Sequence, residues 1–217
     1  MANNFTHKMS NQYCKRCFLI VLSAPSGGGK STICKEVLDR LENVEYSISY
    51  TTRPRREGEV DGKDYFFVSE KQFQALLNHG DFLEYAKVHN NWYATSKSQV
   101  LERIERHRHT IMDIDVQGAQ SIVQGGIDAV TIFLIPPDLK TLEERLRKRG
   151  TDTDEVIELR LRNAKNEMER LEDYQYLVIN DDLEKAVNEV ICIIKAEENR
   201  VTRYSVPEEI FYKGENV

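Results

Sequence analysis

Cysteine is scarce in this chain, with four in 217 residues. Cys14 and Cys17 form a lone C-x-x-C, and Cys34 and Cys192 stand far from it. A structural zinc site draws about four ligands, and no second Cys/His pair falls at a suitable spacing. A thioredoxin-like redox pair follows a strand and opens a helix, whereas this one precedes a strand. The two thiols are therefore expected in a polar, poorly ordered N-terminal tail, in a reducing compartment. Long apolar runs are missing too. Nothing approaches the roughly 20 apolar residues of a spanning helix, so no membrane partner is expected. The run Cys17 to Leu22 is short and leads straight into a glycine-rich loop that needs it, which argues against a cleaved secretory signal and for the cytoplasm. An excess of positive charge is also absent. A net charge of -6 argues against a dedicated nucleic-acid binder. The five histidines (His7, His79, His89, His107, His109) fall in no ligand or triad pattern and read as structural or surface groups.

What is present is an alternation of short apolar runs and amphipathic helices. Hydrophobic residues make up 40% and charged residues 30% of the chain, as in a soluble globular protein long enough to bury a sizeable core. Phe18–Leu22 is short and continuously apolar, like a strand buried on both faces. Thr110–Ile114, Val130–Ile135 (stopped by Pro136 and Pro137) and Tyr176–Ile179 read as further strands. Helices are expected over Lys30–Leu41, Lys97–Arg108, Leu139–Arg149 and Asp154–Leu171. In the last of these Ile157, Leu161, Ala164, Met168 and Leu171 share one face. Leu183, Ala186, Val187, Val190, Ile191 and Ile194 form a final amphipathic helix. The alternation predicts an α/β fold with a parallel sheet flanked by helices. Residues 49–96 break the rhythm and read as an inserted α/β lobe.

Between the first strand and the first helix stands Ser23-Ala24-Pro25-Ser26-Gly27-Gly28-Gly29-Lys30-Ser31-Thr32. In that setting the motif reads as a P-loop, giving a P-loop NTPase-type sheet. Its glycines let successive N–H groups turn inward around phosphate, and the helix N-terminus adds partial positive charge. Lys30 supplies a full charge at the β/γ-phosphates and Ser31 a hydroxyl for Mg²⁺. The usual opening glycine is Ala24 here. A P-loop alone does not name a reaction, because hydrolases and kinases share it.

The insert carries Ser49-Tyr50-Thr51-Thr52-Arg53-Pro54-Arg55-Arg56-Glu57-Gly58-Glu59, then Gly62-Lys63-Asp64-Tyr65, Phe82-Leu83-Glu84-Tyr85-Ala86 and Asn91-Trp92-Tyr93-Ala94-Thr95. Asp113-Ile114-Asp115-Val116-Gln117-Gly118 follows. With the P-loop, these segments closely resemble the guanylate kinase family, in its order, from about Phe18 to Arg200. The resemblance implies ATP and GMP (or dGMP) as substrates and Mg²⁺ as cofactor. It implies that Arg53, Arg56, Tyr65 and Tyr93 hold the GMP phosphate, that Ser49, Glu84 and Thr95 read guanine, and that Asp115 is a guanine-side carboxylate. Asp113 falls where an acidic residue faces metal and phosphates. Arg145, Arg149 and Arg160 match lid arginines, and Asn180 and Asp181 a segment near the ATP base. The implied division is an N-terminal tail (1–16), a core (17–48, 97–137 and 172–205), a GMP-binding lobe (49–96), a lid (138–171) and a C-terminal tail (206–217). Chemistry agrees with the pocket: a carboxylate accepts from the adjacent N1–H and N2–H₂ of guanine, a hydroxyl donates to O6, and adenine offers N1 as an acceptor instead. Ala94 stands where the family usually has glycine and is expected to narrow the guanine pocket. Trp92 is expected to pack rather than stack on a base, and Arg147 and Lys148 to be solvated. Against a GTPase stands the lack of an N-K-x-D segment; against a scaffold-type binding domain stand the intact Lys30, Ser31 and lid arginines. The choice among nucleoside monophosphates rests on Ser49, Glu84 and Thr95, and association with a second copy is left open.

Overall fold

The computed structural model describes residues 14–88, 90–148, 150 and 152–205. In chain order the elements are β1 (Cys14–Lys15), β2 (Leu19–Ser23), α1 (Lys30–Arg40), β3 (Val44–Tyr46), β4 (Tyr50–Thr51), β5 (Phe66–Phe67), α2 (Glu70–His79), β6 (Phe82–Val88), β7 (Asn91–Ser96) and α3 (Lys97–Glu105). Then follow β8 (His109–Asp113), α4 (Val116–Gln124), β9 (Ala129–Ile135), α5 (Leu139–Lys148), α6 (Asp154–Met168), β10 (Tyr176–Ile179), α7 (Leu183–Glu198) and β11 (Tyr204–Ser205).

Five strands form a parallel sheet in the order β10-β9-β2-β8-β3. β2 is central and buried throughout, which is why its sequence shows no polar alternation. Successive side chains feed opposite faces. Ile20 and Leu22 pack with Ile33 and Val37 of α1 and Val187 and Val190 of α7, while Leu19 and Val21 pack with Val100 of α3 and Ile122 of α4. The parallel register brings every following loop to one edge of the sheet: the P-loop after β2, Ile114 and Asp115 after β8, and Asn180 after β10. Ligands of open α/β sheets bind along that edge.

The insert is a separate four-stranded sheet, β5-β4-β7-β6, with α2 on it. Ser69 and Gln72 form a capping box at the start of α2, and Gly80 ends it at φ 76°. The lobe has its own aromatic core, in which Phe73 lies 4.8 Å from Phe82 and 5.7 Å from Trp92. Trp92 thus packs within the lobe.

Several boundaries depart from the sequence reading. The helix after residue 96 stops at Glu105, because His107 takes a positive φ of 58° that a helix cannot continue. α6 ends at Met168, and Leu171 belongs to a separate 3₁₀ turn. Edge strand β3 is too short at three residues to show a period. Helix α4 was hidden by glycine and β-branched residues in its nine positions. The N-terminal tail is shorter than expected: β1 pairs with β11, and the Arg16 N–H donates to the Arg203 carbonyl at 2.8 Å. Among the described residues no group of three or more His, Cys, Asp or Glu could hold a metal ion, and no helix is long and apolar enough to cross a membrane.

Candidate active site

The P-loop is a tight backbone turn closed by the Gly28 N–H donating to the Pro25 carbonyl at 2.8 Å. Gly29, at φ 94°, forms the entry to α1, and a Cβ there would stand 2.2 Å from Asn180 Nδ2. Only glycine meets both demands. Ala24 needs no such freedom. Its φ is not positive and its side chain is buried. Lys30 Nζ donates to the Ile114 carbonyl at 3.0 Å, so the lysine lies over the end of β8. Ser31 Oγ donates to Asp113 Oδ2 at 3.0 Å, and the Tyr46 hydroxyl donates to Asp113 Oδ1 at 2.5 Å. Burial, reinforced by the Asp113 carboxylate, pushes the Tyr46 phenol well above its ordinary range, so it stays a donor. Two hydroxyls and a carboxylate make an all-oxygen cluster beside the P-loop, the donor type a hard divalent cation takes.

Facing Lys30 across one cleft are Ser49, Tyr65, Glu84, Ala86, Tyr93, Asp113 and Asp115. Glu84 is buried on β6, opposite Thr95 of β7, whose hydroxyl donates to Oε1 at 2.7 Å. Its second oxygen approaches α4 so closely that a Cβ on Gly118 would stand 2.7 Å from it. Burial raises the Glu84 carboxyl to about 7; the Thr95 hydroxyl pulls the other way and Asp115 adds to the rise. Asp115 caps α4, accepting from the Gly118 N–H at 2.8 Å. Ala94 is a correction. Tyr93 and Thr95 line the cleft side of β7, and Ala94 between them points to the other face, where it is buried opposite Tyr50 and Tyr85. It does not narrow the cleft.

Arg53 lies at the mouth of the lobe with its guanidinium carbon 5.4 Å from the Tyr65 ring centre and 5.7 Å from that of Phe67. It forms a two-pronged pair with Glu59, whose carboxylate also accepts the Arg56 N–H. Tyr65 and Tyr93 meet edge to face at 6.0 Å, and burial pushes the Tyr65 phenol up to about 12. The Arg56 side chain is exposed.

On the lid side, Leu142 and Leu146 of α5 close on the P-loop: a Cβ on Gly27 would lie 2.9 Å from Leu142. Arg160 Nη1 donates to Ser26 Oγ at 2.5 Å, and Nη2 pairs with Asp152. Arg145 Nη2 donates to the Asn180 carbonyl at 2.8 Å. Arg149 lies outside the described residues. Arg147 pairs with Glu143 and Asp154 on the surface. Asn180 is buried, and its Nδ2 donates to the Gly28 carbonyl at 2.9 Å, so it props the P-loop from below. Asp181 is exposed and accepts the Asp182 N–H. Three contributors escaped the sequence reading. Tyr46 sits on a strand too short to detect, and Gly118 shows its purpose only against Glu84. Glu59 was visible in its motif without a role.

Comparisons with known proteins identify a family. The family model described as Guanylate kinase matches residues 16–197. A guanylate kinase from Legionella pneumophila (strain Paris) is 44% identical over 185 residues, covering 85% of this chain and 88% of the relative. One from Thermotoga maritima is 45% identical over 185 residues, covering 85% and 89%. The crystal structure of guanylate kinase from Anaplasma phagocytophilum superposes with a TM-score of 0.77 at 28% identity, covering 93% of this chain and 97% of that one. The chain belongs to the guanylate kinase family.

Proposed function

We propose that the chain carries out its family's reaction, transfer of the γ-phosphoryl group of ATP to GMP to give ADP and GDP. The observation that carries this is the shared cleft: the P-loop lysine, Lys30, lines the same cavity as Ser49 and Glu84 of the insert. A donor and an acceptor nucleotide can meet there without either leaving its site.

Phosphoryl transfer needs alignment, charge neutralisation and exclusion of water more than covalent help. The amides of residues 24–29, Lys30 and Thr32 cradle the ATP phosphates, and Asn180 and Asp181 border the nucleotide end. Arg53, Arg56, Tyr65 and Tyr93 hold the GMP phosphate with one oxygen in line. Ser49, Glu84, Thr95 and Asp115 select guanine through its paired donors and O6. Arg145, Arg149 and Arg160 bring positive charge from the lid, which with the lobe closes over the occupied cleft. The phosphate of GMP is mostly dianionic near neutral pH, so no general base is assigned. Ser31 and Asp113 are the residues that would hold Mg²⁺, directly or through water. An ion held there would supply positive charge against the phosphates of ATP. The same set accommodates dGMP, because none of these contacts requires a 2′-hydroxyl. With GMP as acceptor the reaction takes a place in purine nucleotide recycling, and the reading includes a cytoplasmic location.

The test is ADP release with ATP alone and with AMP, CMP, GMP or UMP. Release should depend on GMP and exceed that with the other three. Equal release without any acceptor would make the chain a hydrolase, and faster release with AMP would reassign the pocket.

A further inference from the structure

Glu59 belongs to a motif of the lobe, yet nothing in the proposed chemistry uses it. Its carboxylate meets Arg53 along one edge of the guanidinium, Oε1 accepting from Nη2 at 2.6 Å and Oε2 from Nη1 at 3.1 Å. Oε2 also accepts the Arg56 N–H at 2.7 Å. Nη1 donates in addition to the Pro54 carbonyl at 2.9 Å. Both N–H bonds of Nη1 and one of Nη2 are thereby engaged by Glu59 and Pro54; Nε–H and the second Nη2 N–H form the side edge, and the Tyr93 side chain also hydrogen-bonds the guanidinium. That edge is itself a fork matched to phosphate. The rings of Tyr65 and Phe67, 5.8 Å apart, lie together on one side of the guanidinium, and both members of the pair are largely shielded from solvent.

We propose that Glu59 is a positioning residue: it grips one edge of Arg53 and holds the Arg56 backbone, so that the other guanidinium edge faces the GMP phosphate before GMP arrives. A free arginine samples many rotamers, and fixing it beforehand lowers the ordering cost of binding. The opposite role is equally definite and gives the opposite sign. Were Glu59 only a counter-charge, it would compete with phosphate for Arg53, and removing its charge would tighten GMP. The proposal rests on the reading that Arg53 binds the GMP phosphate, and the experiment separates the two.

Steady-state kinetics on Glu59→Gln, Glu59→Asp, Arg53→Lys and the Glu59→Gln/Arg53→Lys double variant provide the test, with melting temperatures as a check on folding. Glu59→Gln should raise KM for GMP about tenfold, the scale of a modest misplacement of a binding group, and leave KM for ATP unchanged. Glu59→Asp should fall between Gln and the parent. In the Arg53→Lys background, where no fork is left to orient, Glu59→Gln should add less than about twofold. An unchanged or lower GMP KM in Glu59→Gln overturns the proposal in favour of the counter-charge. A full Glu59→Gln effect that persists in the Arg53→Lys background overturns it in favour of a loop-holding role through Arg56. Arg53→Lys with an unaltered GMP KM removes Arg53 from the phosphate site, and the proposal falls with it.

Discussion

At Glu84 the demands of folding and of binding oppose each other. The fold buries the carboxyl between β6, β7 and α4, which favours the neutral acid and lifts its pKa from 4.5 to about 7. Guanine brings two N–H donors, which favour the carboxylate. Binding of GMP should therefore expel a proton from Glu84 at mildly acidic pH, and affinity should fall as pH drops below about 7, approaching tenfold per pH unit. The phosphate of GMP titrates nearby, so the informative measurement is the pH profile of GMP KM in the parent minus that in Glu84→Gln, which lacks the carboxyl but retains the phosphate's titration. Identical profiles would remove Glu84 from guanine recognition. Stability follows the same linkage with its own sign. Because the folded pKa is raised, the protonated group contributes stability that is complete below the ordinary carboxylate value and lost as pH rises through about 7. Glu84→Gln escapes that loss, so its melting temperature should gain on the parent between pH 5 and pH 8.

The lid owes its placement to packing. Leu142 and Leu146 of α5 and Ile157 and Ala164 of α6 form a small core of their own, and the two leucines abut Gly27 of the P-loop. α6 thereby carries Arg160 to Ser26 of the P-loop. Arg160→Ala should lower turnover on the order of 10³-fold, the scale of a lost transition-state arginine, with a much smaller change in GMP KM; single-turnover rates would show it, and an unaltered rate would leave Arg160 a purely structural partner of Asp152. The same elements show what a sequence reveals. α6 was legible because fifteen residues contain four turns of one apolar face. The P-loop and the insert's motifs were legible because several unusual residues stand at fixed spacing. β3, with three residues, gives no period. α4 begins where Asp115 caps it, and its glycine lowers helix propensity in order to admit Glu84. The contacts of Tyr46, Glu59 and Asn180 join distant segments or lie within loops, so no local pattern encodes them.

Across the whole molecule the two ends of the parallel sheet divide the work. The candidate site gathers where the strands end, and a charged clasp closes the edge where they begin. There Arg203 is buried with its guanidinium carbon 4.1 Å from the Phe18 ring centre, donating to Asp128 at 2.8 Å and to Glu197 at 3.3 Å. Glu197, also buried, accepts from Tyr176 as well. Burial pushes its carboxyl up, but Tyr176, Arg200 and Arg203 together outweigh it and hold the group below the ordinary range. The clasp joins the segment before β2 to the strand pair β1–β11, so it ties both ends of the described chain to the core. Truncating Arg203 to Ala removes one of the two cations paired with Glu197 and leaves Arg200 at 3.3 Å, so the loss should fall below the roughly 3–5 kcal/mol of a fully uncompensated buried charge. The five residues of β2 separate Phe18 from the P-loop, roughly 16 Å of extended chain, too far for a direct effect on bound nucleotide. Arg203→Ala should therefore lower the denaturant midpoint strongly while KM for both nucleotides stays at the parental value below the transition. A variant with altered KM but parental stability would show that this edge is coupled to the cleft instead of serving only to hold the sheet closed.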